Sequence, residues 1–92
     1  MSFYAMTFGN YKIDHAFWGK TKKKAIESAR EEINKWPEYQ DYTDEEILEL
    51  LDADEILDFD LVKIPEKMPD NELAVIALYQ KYFSGDVGRK KD

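Results

Sequence analysis

The sequence predicts one small α+β domain: an antiparallel three-stranded sheet with helices packed on one face, in the order ββααβα. Three observations predict it. Residues 2–18 form two aromatic-rich apolar runs around a Gly-Asn pair, residues 57–62 alternate again, and three stretches between and after them carry apolar residues at spacings of three and four. The 92 residues suffice for one core, expected over residues 1–85, with a frayed basic tail over 86–92.

The hairpin comes first. "SFYAMTF" and "YKIDHAFW" flank "GN", residues that tolerate positive φ. In the second strand Tyr11, Ile13, His15 and Phe17 share one face, expected to be the core side, and Lys12, Asp14, Ala16 and Trp18 share the other. Gly19 ends the strand. A helix then runs from a Thr21 N-cap through the stripe Ala25, Ile26, Ala29, Ile33 and Trp36 until Pro37 stops it. Its first turn holds three lysines, which oppose the helix dipole. In "TDEEILELL", Thr43 and Glu46 form a capping box, and Ile47, Leu48, Leu50 and Leu51 supply a buried side. After a turn at Asp52–Glu55, "ILDFDLVKI" reads as the third strand, with Leu57, Phe59 and Leu61 opposite Asp58, Asp60 and Val62; the competing reading is a helix running on through 58, whose apolar stripe Asp54 and Glu55 would break. The last helix, "NELAVIALYQKYF", is expected to be capped by Asp70, to bury Leu73, Ile76, Ala77 and Phe83, and to end at Gly85.

Composition narrows the function classes. Hydrophobic residues at 43% and aromatics at 14% are too many for a disordered chain. There is no cysteine, hence no disulfide framework and no thiolate metal site. The N-terminus lacks the basic-then-apolar pattern of a signal peptide, and no apolar run is long enough to span a bilayer. The expectation is a soluble cytoplasmic protein with no membrane partner.

Chemistry-bearing patterns are sparse. His15 is the only histidine, and Ser2, Ser28 and Ser84 lie in no nucleophile motif, so no catalytic residue is expected. "DADEILDFD" lacks the turn glycine and spaced glutamate of a calcium loop, and "GKTKKK" lacks the upstream glycine of a P-loop. No metal or cofactor is expected. The lysines at 20–24 beside Trp18 make a minimal nucleic-acid footprint, but the net charge of −7 argues against direct nucleic-acid binding. The preferred reading is that those lysines pair with the acidic segment of the same chain or simply solubilise the helix start.

Charge distribution is the strongest signal. From Trp36 to Val62 there are eleven acids and no Lys or Arg, whereas the rest of the chain is net +4. Glu45, Glu49 and Asp52 lie at i, i+4 and i+7, a like-charge stripe that costs its helix about 0.2–0.5 kcal/mol per pair. Asp58 and Asp60 would extend the charge along one strand face, about 6.6 Å apart. Carboxylates in such rows imitate nucleic-acid phosphates and would occupy a groove built to displace counterions. In character the chain resembles the DNA-mimic inhibitors of phages and mobile elements, which are small, acidic and cysteine-poor.

The expected function is therefore a non-enzymatic acidic protein-binding module. Its partner would be a basic protein, a nucleic-acid-binding protein or nuclease whose groove it occupies as an inhibitor. The partner-binding candidates are Asp44, Glu45, Glu49, Asp52, Asp54, Glu55, Asp58 and Asp60, with Trp36, Tyr39 and Tyr42 as aromatic anchors. The alternative is a small regulatory or structural protein that forms a homodimer through exposed hairpin aromatics such as Tyr4 and Trp18.

Overall fold

Three strands form in the computed structural model, which describes residues 1–8, 15–56 and 58–84. They are β1 (Phe3–Phe8), β2 (Ala16–Gly19) and β3 (Phe59–Ile64), all antiparallel, in the spatial order β2-β1-β3. Met6 stands opposite Phe17 and Leu61, while Ala5 stands opposite Trp18 and Val62, so these two sets mark the two sheet faces. The hairpin turn, Tyr11, Lys12, Ile13, Asp14, Leu57, Gly85 and the tail lie outside the described residues.

Four helices complete the fold: α1 (Lys22–Ser28), α2 (Arg30–Ile33), α3 (Asp44–Asp52) and α4 (Glu72–Tyr79), the last running into a π-helical turn at Gln80–Ser84. The α+β class, the three antiparallel strands and the element order agree with the sequence reading. The single helix expected over 21–36 is two pieces. At Ala29 (φ −92°, ψ 4°) the N–H is shared between the Ala25 and Ile26 carbonyls. Beside it the Ser28 hydroxyl donates to the carbonyls of Lys24 and Trp18. The stripe survives the break, since Ala25, Ile26, Ala29 and Ile33 are all buried.

The helices do not share one face. The buried residues of α1, α2 and α3 (Ile26, Ala29, Ile33 and Ile47) cluster with Met6 and Phe59 on one face of the sheet. Val75 of α4 clusters with Phe3, Ala5, Ala16 and Ile64 on the other. The cause lies in β1, where Phe3, Ala5, Met6 and Thr7 are all buried. A central strand apolar on both faces requires cover on both. For the same reason Ala16 is buried, although its side of β2 was expected to face solvent.

Local signals set the helix starts. Thr21 accepts from the Lys24 N–H, and Thr43 and Glu46 complete a reciprocal capping box. At α4 the cap is Asn71, which accepts from the Ala74 N–H at 2.9 Å, and Asp70 lies one residue too early. The α4 stripe also differs from expectation. Val75 is its buried residue, while Leu73 is 80% exposed and Ala77 faces solvent. The sequence "ELAVIALY" is apolar around most of its circumference, so periodicity could not choose the inward side. Gly19 is required where β2 turns into α1. A Cβ there would sit 2.6 Å from the Ala25 nitrogen.

Candidate acidic protein interface

Side-chain pairs tie both ends of helix α3 to α1 and α2. At one end Arg30 of α2 donates from Nε to Asp44 at 3.1 Å and from a terminal guanidinium nitrogen to the Tyr42 carbonyl at 3.0 Å. At the other, Lys22 Nζ lies 3.0 Å from Asp52, while Lys23 Nζ reaches back to Glu45, in the first turn of α3, at 2.8 Å. The Arg30–Asp44 pair is the most enclosed of the three, with side chains 28% and 22% exposed.

These contacts resolve two conflicts at once. Lysines at the start of α1 oppose its dipole, and acids at the end of α3 oppose that of α3. Lys22 at the α1 start meets Asp52 at the α3 end, so lysine meets carboxylate. The lysine hydrogen bond to Glu45, aided by its charge, holds that carboxyl below its ordinary pKa. The same bond raises Lys23 above its ordinary value. Both groups are fully exposed, and ion pairs of this kind contribute little to stability.

The acidic row is therefore half internal. Asp44, Glu45 and Asp52, expected as partner-binding acids, are engaged by cations of the same chain. Glu49, Asp54 and Glu55 are exposed, with no cation partner among the described residues. Asp54 occupies a left-handed position (φ 57°) just after α3. Its N–H donates to the Leu51 carbonyl at 3.1 Å, and the Glu55 N–H to the Leu50 carbonyl at 2.9 Å. That hydrogen-bond pair is a Schellman stop, at which glycine is the usual residue. An aspartate there carries both backbone strain and an unfavourable charge at a helix C-terminus.

Asp58 and Asp60 do not line one strand face. β3 starts at Phe59, so Asp58 precedes the alternation and accepts from the Tyr39 hydroxyl at 3.3 Å. Asp60 stands opposite Thr7, on the α4 side, and is exposed. Burial, followed by the Asp58 charge, raises the Tyr39 hydroxyl above its ordinary pKa. Burial also raises Tyr79 on α4, with the Asp60 charge adding to the shift.

Two of the three expected anchors belong to the core. Trp36 stacks on Phe8 at 6.5 Å and meets the Phe59 edge at 5.3 Å, and Tyr39 packs on Phe59 at 5.0 Å. Only Tyr42 is an exposed anchor, at 40%. With Leu50, Glu46 and Glu49 it lines an open depression of about 240 Å³. Trp18 is no free hairpin aromatic either, since its indole N–H donates to the Pro69 carbonyl at 3.1 Å. Lys20 and Lys24 line an open groove beside it, but Lys22 and Lys23 are drawn to α3, which divides the supposed nucleic-acid patch.

Among the described residues no three His, Asp or Glu side chains are placed to hold a metal, and no helix is long and apolar enough to cross a membrane. No protein-family model, curated protein or solved structure matches the chain.

Proposed function

We propose that the protein is a non-enzymatic binding module whose acidic surface docks on a basic protein. In its specific form, it inhibits a nucleic-acid-binding protein or nuclease by occupying the basic groove. One observation carries this reading. After the internal ion pairs are made, Glu49, Asp54 and Glu55 remain exposed and without a cation partner among the described residues, and Glu49 shares a depression with the exposed ring of Tyr42. The acids supply long-range attraction to a basic surface, and Tyr42 with Leu50 supplies apolar contact at short range.

The test reverses Glu49, Asp54 and Glu55 to Lys, leaving the internally paired acids untouched. Wild-type protein immobilised against a lysate should retain a basic protein at low salt, release it as salt rises, and lose it to competing duplex DNA. The triple variant should retain none of it. Equal retention by the variant would remove the acidic-docking reading.

A second reading is self-association through α4, favoured by the 80% exposure of Leu73 on a helix apolar around most of its circumference. It predicts a dimer in sedimentation that high salt does not disperse and that Leu73→Lys abolishes.

A further inference from the structure

The two edges of the sheet are finished differently. At β2, Glu72 of α4 accepts the Ala16 N–H at 3.0 Å, and Ser28 of α1 donates to the Trp18 carbonyl at 2.9 Å. Those bonds place the main-chain groups of Ala16 and Trp18 on the outer side of β2, so Phe17 and Gly19 bond inward to Met6 and Tyr4. Alternation along β1 then directs Phe3, Ala5 and Thr7 to Ile64, Val62 and Asp60. The outer side of β3 is left with the main-chain groups of Leu61 and Lys63. No described residue makes a hydrogen bond to them. β3 is six residues long, its register with β1 is unbroken, and it contains neither proline nor bulge. Such an edge is a template for another strand.

Acids lie at the head of this edge. At its head is a recess of about 90 Å³ lined by Asp52, Asp54, Asp60, Lys22, Phe59 and Leu61. Lys22 answers Asp52, whereas Asp54 and Asp60 have no cation partner among the described residues. Glu55 and Asp58 adjoin them in sequence.

We propose that the free edge of β3 takes an extended basic segment of a partner protein as a fourth strand. Main-chain bonds to Leu61 and Lys63 hold the segment, and a Lys or Arg side chain enters the recess against Asp54 and Asp60. This rests on the acidic-docking reading and adds the mode of attachment. Charge selects the occupant, because at net −7 a second copy is repelled where a basic segment is attracted.

The probe is a short fluorescent peptide of alternating Lys and Val. It is compared with a Glu-Val peptide and with a Lys-Val peptide N-methylated at alternate residues, which keeps the charge and removes the main-chain donors. Lys-Val should bind, shift the Leu61 and Lys63 amide resonances and slow their exchange. The N-methylated peptide should bind at least about tenfold more weakly, the effect of losing two hydrogen bonds. Leu61→Pro should weaken Lys-Val similarly, since the lost N–H points outward and the ladder to β1 is kept. If that variant does not fold, the N-methyl comparison on the native protein decides. Equal binding of the N-methylated peptide, or binding that leaves the Leu61 and Lys63 amides unmoved, overturns the edge and leaves acidic docking standing. Absence of Lys-Val binding at low salt counts against both. Protection of the same amides that grows with protein concentration alone overturns the proposal in favour of a second copy.

Discussion

The two faces of the sheet solve the same burial problem with different completeness. On one, α1 to α3 enclose Met6, Ile26, Ile33, Ile47 and Phe59, with aromatic packing from Phe8, Trp36 and Tyr39 and ion pairs joining the helices at both ends. On the other, α4 buries Val75 against Phe3, Ala5 and Ile64, yet turns Leu73 outward. Beneath α4 the buried Thr7 hydroxyl lies near Tyr79 without a hydrogen bond of good geometry. The first face is closed by its own residues. The second retains apolar surface and an unsatisfied polar group, and there an unfilled role is easiest to accommodate.

The largest expected effect tests that contrast directly. Phe59→Ala should lose about 3–5 kcal/mol in urea denaturation, whereas Leu73→Ala should change stability by no more than about 0.5 kcal/mol. A large loss at Leu73 would mean that the α4 surface is covered in solution. Next is the capping box: Thr43→Ala should cost about 1 kcal/mol by removing the bond to the Glu46 N–H. In the opposite direction, Asp54→Gly should stabilise by about 0.5–1 kcal/mol, because glycine suits the left-handed stop and removes a carboxylate from the α3 end. Weakened partner binding in that more stable variant would show that Asp54 is kept for recognition. Thr7→Val should be neutral or stabilise by up to about 1 kcal/mol, since a buried hydroxyl without a good partner is exchanged for a methyl group.

The smallest effect is a titration. Glu45 has a depressed pKa, so its contribution is present above the ordinary carboxyl value and lost as pH falls through the depressed one. Lys23 has a raised pKa, so its contribution is present below the ordinary ammonium value and lost as pH rises through the raised one. The pair therefore acts across the neutral range and fades at both extremes. In Lys23→Gln the Glu45 carboxyl, followed by NMR, should titrate closer to its ordinary value with almost no change in melting temperature.

Legibility followed the range of the interaction. The Thr21 cap and the Thr43–Glu46 box are hydrogen bonds across three residues, and both were readable from residue type and spacing. Asn71 in place of Asp70 is a one-residue choice between similar side chains, which spacing alone does not decide. Which acids of the row find a cation could not be read from the sequence, because the partners are distant in the chain: Lys22 and Asp52 are thirty positions apart. Trp36 and Tyr39 looked like interface anchors because acids surround them in the chain, but the turns after α2 fold both rings onto Phe59.

By itself the sequence determined the class, the strands, the element order and the starts of α1 and α3. Each of these depends on periodicity or on contacts within a turn, which nearby residues specify. Tertiary structure alone decided which face each helix covers, which acids are neutralised and which sheet edge is left uncovered by the described residues. All three depend on residues far apart in the chain, and they become definite only when α4 crosses to the second face and α3 packs beside α1. The acids left over from that packing, and the side of β3 that no described residue covers, are where the proposed basic partner would dock.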